Sequence, residues 1–336
     1  MNPVLKTVGL ALLAVCSVYT QPLSAQNHSV TKAEAETLSI QLDTSVSNGN
    51  PVILNNLISF PVFIGRLNSR SPFINNFDTL GKIAARFGLY NIGNRTVEMA
   101  KNGSYHLVRG YMRNEEVHLL FRVFGDGGLN YQDITLVKVK DSVRAADIFS
   151  YQMGESYGTQ FAALIEQDKP QDQHRSLTTR EKYSGIFENA LSNKNYSAAR
   201  SAFEKFDDAT QNDKHLLLQY IGACEHLDKK SYKKSLDRYI ALYTDEPMPY
   251  LQIVNLYADS KEIDPYALAI DKLDTLLSID PFLNYLRGNI EMKTGNSVAA
   301  RDFYRPVFLN PLLNHYRRQI KKRFLQWQRK KANVFS

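Results

Sequence analysis

Hydrophobic and polar residues follow two different periods along this chain. In its first half, apolar residues alternate with polar ones in four runs, at 104–113, 117–124, 131–140 and 143–152. Alternation with a period of two is typical of half-buried strands. From about residue 177 onward, apolar residues recur at steps of three and four, which is typical of amphipathic helices. The pattern therefore predicts a sheet in the first part of the chain and a helical array in the second.

Short polar segments separate the four strand runs and favour tight turns. They are 113–116, 125–128 and 140–141, and the second of them contains three glycines. Glycine readily adopts the positive φ angles that hairpin turns need. Helices are predicted before the strands, at 31–46 and 78–89, and after them, at 159–167. This order predicts an α+β domain over residues 28–168, with helices on one face of a four-strand antiparallel sheet.

Several short motifs stand out in this predicted domain. They are Gly127–Tyr131, Asp147-Ile148, Tyr151 and Gly154-Glu155. These motifs resemble a domain found in exported proteins of Bacteroidetes-type bacteria. The resemblance implies the cone-shaped α+β fold of nuclear-transport-factor-like and cystatin-like domains, with no established activity, followed by tetratricopeptide-like repeats. Gln132 departs from the family pattern, which has His at this position, so the resemblance implies no role for an imidazole there.

Residues of similar type recur in the C-terminal part at a step of 34. Ser235, Tyr239, Leu242 and Pro247 are followed by Ala269, Leu273, Leu276 and Pro281. A small residue, a Tyr or Leu four later, an apolar residue and then a proline mark the second helix of a tetratricopeptide-like hairpin. We therefore predict an all-α array of such hairpins over residues 177–336, ending in a basic capping helix. The polar segment 169–176 predicts a linker, so each part is expected to fold on its own.

The first 25 residues have the pattern of an export signal. Lys6 precedes an apolar run from Val8 to about Tyr19, and Ala25 is a small residue at the expected cut. We expect cleavage after Ala25 and export to the periplasm or cell envelope of a Gram-negative bacterium. Lipidation of Cys16 and retention of the segment as an anchor are the alternatives.

The formal net charge of +7 comes from the C-terminal end of the chain. Residues 312–336 contain eight basic residues and no acid. The candidate contact residues among them are Arg317, Arg318, Lys321, Lys322 and Arg323. A repeat array needs a polar terminal helix, so a cationic cap is the first interpretation. Contact with an anionic membrane surface is the second, and the two are compatible. Basicity confined to one helix does not indicate a nucleic-acid partner.

The chain lacks the motifs of common catalytic and metal sites. It contains no His-x-x-x-His, no Gly-x-Ser-x-Gly and no phosphate-binding glycine loop before a helix. Cleavage after Ala25 leaves Cys224 as the single cysteine, which excludes an intramolecular disulfide. We expect no cofactor, no metal and no enzymatic activity. Asp147 and Arg109 mark a candidate pocket in the α+β domain, where Asp147 could act as a general base. The alternative is a carboxylate satisfied by a nearby cation or a turn amide.

These observations predict a non-enzymatic scaffold that binds a peptide or protein through its repeat array. Small residues at Ala223 and Gly288 let paired helices approach closely and set the register of the concave face. That register places four candidate partner-binding residues near the groove, Tyr220, Tyr285, Asn289 and Met292. Packing between repeats is the alternative role for the two tyrosines. The second functional hypothesis is a small-ligand-binding protein or enzyme that uses the pocket around Asp147.

Overall fold

The computed structural model describes residues 29–68, 80–82, 84–85, 88–167, 179–258, 262–277, 280–310 and 314–334. The predicted export signal at 1–25, with Cys16, and the predicted linker at 169–176 lie outside these residues. Cleavage after Ala25 and a linker at 169–176 therefore stay predictions.

Short helices surround one face of a sheet in the N-terminal part. They are α1 (Lys32–Ser47), α2 (Val52–Asn55), α3 (Phe60–Asn68), α4 (Ile92–Met99) and α5 (Tyr157–Gln167). Helix α1 begins with a capping box: the Thr31 hydroxyl accepts from the Glu34 amide at 3.3 Å, and the Glu34 carboxylate accepts from the Thr31 amide at 2.9 Å. Residues 80–82 and 84–85 are also helical, within the helix predicted at 78–89. The predicted helices α1 and α5 are confirmed, whereas α2, α3 and α4 were not predicted.

The sheet is an antiparallel meander of five strands in chain order. The strands are β1 (Ser104–Arg113), β2 (Glu116–Gly125), β3 (Gly128–Val139), β4 (Ser142–Ser150) and β5 (Glu155–Ser156). Their turns contain residues with positive φ, among them Asn114, Gly128 and Lys140. The four predicted strands and the α+β fold are confirmed. The two-residue strand β5 was not predicted, because a pair of residues carries no detectable alternation.

The two faces of the sheet are buried against different parts of the chain. On one face, Leu119, Phe121 and Val123 join a hydrophobic cluster with residues of α1, α3 and α5. On the other face, Leu120, Leu129 and Tyr131 belong to the hydrophobic cluster of the helical array. We call these the helix-facing and the array-facing sides of the sheet.

The helical array consists of ten helices among the described residues from 179 to 334. They are α6 (Thr179–Ser192), α7 (Tyr196–Phe203), α8 (Asp208–Gln211), α9 (Lys214–Glu225), α10 (Lys229–Leu242), α11 (Met248–Tyr257), α12 (Ile263–Leu277), α13 (Phe282–Thr294), α14 (Ser297–Leu309) and α15 (Asn314–Val334).

Consecutive helices of the array pack as hairpins. The pairs are α6 with α7, α9 with α10, α11 with α12, and α13 with α14, while α15 packs on α13 and α14. Side chains of Asn195, Asp213, Asp228 and Asn296 cap four of these helices by accepting from backbone amides. Gly288 lies against the ring of Tyr304, where a Cβ would collide, so the predicted close approach at this glycine is confirmed. The predicted array of helical hairpins is confirmed with it.

Candidate functional site: the cleft between the sheet and the helical array

A buried ion pair joins the array-facing side of the sheet to the array. Arg122 Nη1 of β2 donates to Asp280 Oδ1 at 2.6 Å, and the two side chains are 3% and 2% exposed. The Tyr131 hydroxyl donates to the other oxygen of Asp280 at 2.7 Å. Asp280 Oδ1 also accepts from the backbone amide of Phe282, at 3.0 Å. The carboxylate thus holds two strands of the sheet and the start of α13 at one point.

Asn255 of α11 forms a second connection, because its side chain pairs with the backbone of β3. Asn255 Oδ1 accepts from the Leu129 amide at 2.7 Å, and Asn255 Nδ2 donates to the Leu129 carbonyl at 3.1 Å. The preceding Gly128 has a φ of +86°, and a Cβ there would lie 2.7 Å from Asn255 Oδ1. A side chain at 128 would therefore be both strained and blocked.

Aromatic residues fill the rest of the contact between the sheet and the array. The ring of Phe124 of β2 lies 4.7 Å from the ring of Phe282, which lies 4.9 Å from the ring of Tyr316 in α15. The Tyr316 hydroxyl is hydrogen-bonded to the Ser104 hydroxyl of β1. The terminal helix therefore contacts the first strand, and the sheet contacts α11, the start of α13 and α15. We call this contact the sheet–array interface.

Two of the predicted partner-binding residues lie in the buried region of α13. Tyr285 is 2% exposed, and its hydroxyl donates to Gln319 Oε1 at 2.5 Å. Asn289 is 9% exposed, and its side-chain oxygen accepts from the Tyr304 hydroxyl at 2.8 Å. A partner could reach these two side chains only by moving the helices that bury them.

The other two predicted partner-binding residues pack within the array. The ring of Tyr220 stacks on Phe203 with a centroid distance of 3.9 Å, and Met292 is half-buried against the array core. Stacking of Tyr220 on a neighbouring helix is the alternative role that the sequence left open. The binding role of all four residues stays a prediction, and the structure does not bring them together on one open surface.

An open cleft remains where the sheet does not cover the array. It has a volume of about 490 Å³ and lies between α5 and the β4–β5 turn on one side and α9 and α11 on the other. Its lining includes apolar side chains and four glutamine amides, namely Ala163, Leu164, Leu218, Ile221, Met248, Gln152, Gln160, Gln219 and Gln252. Gly222 of α9 also lines the cleft, and apart from its chain neighbours and the nearby backbone of its own helix no atom lies within 4 Å of the position of a Cβ there. Both parts of the chain therefore build this cleft.

A histidine–carboxylate pair crosses the cleft. His215 Nδ1, on the first turn of α9, lies 3.1 and 3.2 Å from the two carboxylate oxygens of Glu155 in β5. This hydrogen bond raises the pKa of His215 above its ordinary value, and the charges of Asp213 and Glu188 act in the same direction. Burial raises the pKa of Glu188. The pair is a polar connection between the sheet and the array, and it gives the cleft a charged wall.

The two residues of the predicted N-terminal pocket lie apart. Asp147 Oδ1 accepts from the amide of Ile148 at 2.8 Å and from the amide of Gly158, at the start of α5, at 3.0 Å. Burial raises the pKa of the Asp147 carboxyl. Arg109 is on β1, three strands or about 14 Å across the sheet, where its guanidinium lies 5.0 Å from the ring centroid of Tyr111. The Asp147 carboxylate is thus satisfied by backbone amides, which is the alternative to a role as general base. Arg109 does not pair with it.

The basic residues of the C-terminal helix lie on α15. Tyr316 and Ile320 are fully buried, so this helix has a buried inner side as well as basic residues. Arg318, Lys321 and Lys322 are exposed, whereas Arg317 and Arg323 are half-buried.

Within the described ranges, no group of three or more His, Cys, Asp or Glu side chains is arranged to hold a metal ion. Cys224 is buried, and burial raises the pKa of its thiol. None of the helices described here combines the length and apolarity needed to cross a membrane.

Comparison of the chain with protein-family models, with curated proteins and with solved structures gave no match. The resemblance to exported Bacteroidetes-type repeat proteins therefore stays a prediction, and the case for a function depends on the cleft and the surfaces around it.

Proposed function

We propose that this protein is a non-enzymatic binding protein that holds a short peptide segment of a partner protein in the cleft between α5 and α9. The observation that carries the proposal is the cleft itself, which is lined by both parts of the chain. Its volume of about 490 Å³ falls within the range of binding pockets in proteins, about 300–1,000 Å³.

The chemistry of the lining favours a peptide. An extended peptide offers backbone donors and acceptors together with alternating side chains. Glutamine side chains can both donate to and accept from such a backbone, and four of them line the cleft. Gln252 already donates to a backbone carbonyl of the β4–β5 turn and accepts from the Tyr232 hydroxyl, so the peptide contacts are assigned to the other three. The apolar side chains of Leu218, Ile221 and Met248 provide a site for one hydrophobic anchor of the peptide.

The position of the cleft agrees with binding by a helical array. In tetratricopeptide-like arrays the first helices of the hairpins line the concave face, and α9 and α11 are such helices. The sheet contacts α11, the start of α13 and α15, whereas part of α9 and the start of α11 line the open cleft. The predicted export signal at residues 1–25 supports a location in the bacterial envelope.

Asp147 gives little support to the alternative of an enzyme in the N-terminal domain. A general base needs a free lone pair directed at the substrate, whereas the Asp147 carboxylate is largely buried, accepts from two backbone amides at Oδ1 and is also hydrogen-bonded to the Ser156 side chain.

The test uses Gly222, because a side chain there would project into open space in the cleft. Peptides are selected from a displayed random library on the immobilised full-length protein, and their affinities are measured by fluorescence polarisation. We expect the enriched peptides to carry an apolar anchor, and Gly222→Phe to weaken their binding by at least about tenfold.

Gly222→Ala and Gly65→Phe are the controls. The first keeps the cleft open, and the second adds the same ring at an exposed position of α3 that also has free space around it. Both should bind the peptides like the parent protein. A failure to enrich any peptide, or equal binding by Gly222→Phe, would contradict the proposal.

A further inference from the structure

The outer faces of α14 and α15 each carry a stripe of exposed cations. On α15, Arg318, Lys321, Lys322 and Leu325 are exposed, and their spacing of three and four places them on one face of the helix. On α14, Arg301, Arg305 and Leu309 are exposed at a spacing of four. Both stripes lie opposite the buried residues of their helices, of which Tyr304 and Tyr316 are the largest.

Acidic side chains are almost absent from this region. Residues 297–334 contain ten basic residues and one acid, Asp302. Asp302 lies 4.0 Å from Arg301. Among the described residues, no carboxylate lies within ion-pair distance of Arg318, Lys321 or Lys322. The positive charge of this surface is therefore available to an outside partner.

Large apolar side chains accompany these cations. Leu309 is 75% exposed, Leu325 is 55% exposed and Val298 is 64% exposed. A surface that combines basic residues with protruding apolar side chains is typical of proteins that lie on a bilayer, where the cations contact anionic headgroups and the apolar groups enter the boundary of the acyl chains. Binding to nucleic acid or to an acidic peptide would use the cations alone and would leave the leucines in water.

The surface is also held in a fixed shape. Tyr316 and Ile320 are fully buried, and the Tyr316 hydroxyl is hydrogen-bonded to Ser104 of the sheet. The helix is therefore anchored on its inner side, which fixes the backbone positions of the outer cations, so the backbone needs little ordering on contact.

We infer that the outer surface of α14 and α15 docks this protein onto an anionic lipid bilayer. This inference does not depend on the cleft, and either could fail without the other.

The experiment measures co-sedimentation of the full-length protein with phosphatidylcholine vesicles prepared with and without phosphatidylglycerol. We expect binding only when phosphatidylglycerol is present, and weaker binding as salt is raised. Arg318→Glu/Lys322→Glu should lower the partition coefficient by more than about tenfold. All variants carry the same N-terminus, so any contribution of residues 1–25 is common to them.

The matched control is Lys230→Glu/Lys234→Glu. These two lysines are exposed on α10 at the same spacing of four, and their reversal changes the net charge by the same amount. The control should bind like the parent protein. Leu325→Gln leaves the net charge unchanged and should weaken binding to the vesicles. We expect the loss to be larger at high salt than at low salt, because salt screens the cations and the apolar contact then contributes more of the affinity.

Three results would overturn the inference. One is equal binding to vesicles with and without phosphatidylglycerol. Another is an equal loss of binding in the α10 control, which would show a general effect of net charge. The third is retention on polyglutamate or duplex DNA without binding to vesicles, which would assign the surface to an acidic protein or to nucleic acid.

Discussion

Replacement of Asp280 by alanine tests the central contact of the sheet–array interface. The Asp280 carboxylate accepts from Arg122, Tyr131 and the Phe282 amide, and its side chain is 2% exposed. Its removal leaves the Arg122 guanidinium buried without a counter-charge, and Nε and Nη2 of Arg122 already have no hydrogen-bond partner among the described residues. Breaking a buried ion pair by removing one partner typically costs about 3–5 kcal/mol.

The structure supports a value within this range. The carboxylate accepts three hydrogen bonds, all of them charge-assisted because the acceptor is ionised, and a hydrogen bond to a charged group contributes about 1.5–3 kcal/mol. The ring of Phe282 lies 4.4 Å below the Arg122 guanidinium, and this cation–π contact compensates for part of the loss. We therefore expect the free energy of unfolding to fall by about 4 kcal/mol in Asp280→Ala.

The assay is equilibrium unfolding of the full-length protein in urea, followed by circular dichroism. Asp237→Ala is the control, because it removes an exposed ion pair with Lys233, and it should cost less than about 1 kcal/mol. The double variant Arg122→Met/Asp280→Ala removes the unpaired charge and should recover part of the stability. A loss below about 1 kcal/mol in Asp280→Ala, or a double variant less stable than the single one, would refute the reasoning.

Three further predictions follow from the same interface. Gly128→Ala should destabilise the protein by more than about 1 kcal/mol in urea unfolding, because it combines a positive φ with a collision at Asn255. The pKa of His215 is raised by Glu155 in the folded protein. The pair therefore contributes stability that is fully present below about pH 6.5 and is lost as the pH rises through the raised value; His215→Gln should remove this pH dependence of the urea midpoint. Residues 177–336 expressed alone should bind a hydrophobic dye and unfold less cooperatively than the full chain, because the array-facing side of the sheet contributes buried residues to the hydrophobic cluster of the array. This prediction replaces the expectation, drawn from the linker, that each part folds on its own. Tight, cooperative unfolding of the fragment would instead support independent folding of the two parts.

Hydrophobic periodicity predicted those elements in which it was strong. The strand at 117–124 has an unbroken apolar face, formed by Val117, Leu119, Phe121 and Val123. The helices of the array recur at a step close to 34, so their pairing into hairpins followed from the sequence. Elements such as α2 and β5 have four and two residues, and so short a segment shows no period. Their formation depends on tertiary contacts, which local sequence does not report.

The sheet–array interface could not be predicted from local sequence, because its partners are far apart in the chain. Arg122 and Asp280 are separated by 158 residues, and Leu129 and Asn255 by 126. One signal was nevertheless present in β2. The side of this strand opposite to the predicted core face contains Leu120 and Phe124 as well as Arg122. Two large apolar residues on one side of a strand are not typical of a solvent-exposed face. That side of the sheet was therefore expected to be buried, and the helices of the array bury it.

The location of the candidate site depends on the same interface. A repeat register indicates which helix faces are concave, but it does not show whether another part of the chain occupies them. Tyr285 and Asn289 lie on a first helix as the register requires, and in the folded chain they are buried. The open cleft lies instead at α9, where Gly222 and His215 line it. The sequence of a repeat array thus identifies the faces that could bind a partner, but not the faces that other parts of the chain bury. In this protein Tyr285 and Asn289 are buried and hydrogen-bonded to α15 and α14, beside the interface in which Asp280 joins the sheet to the array.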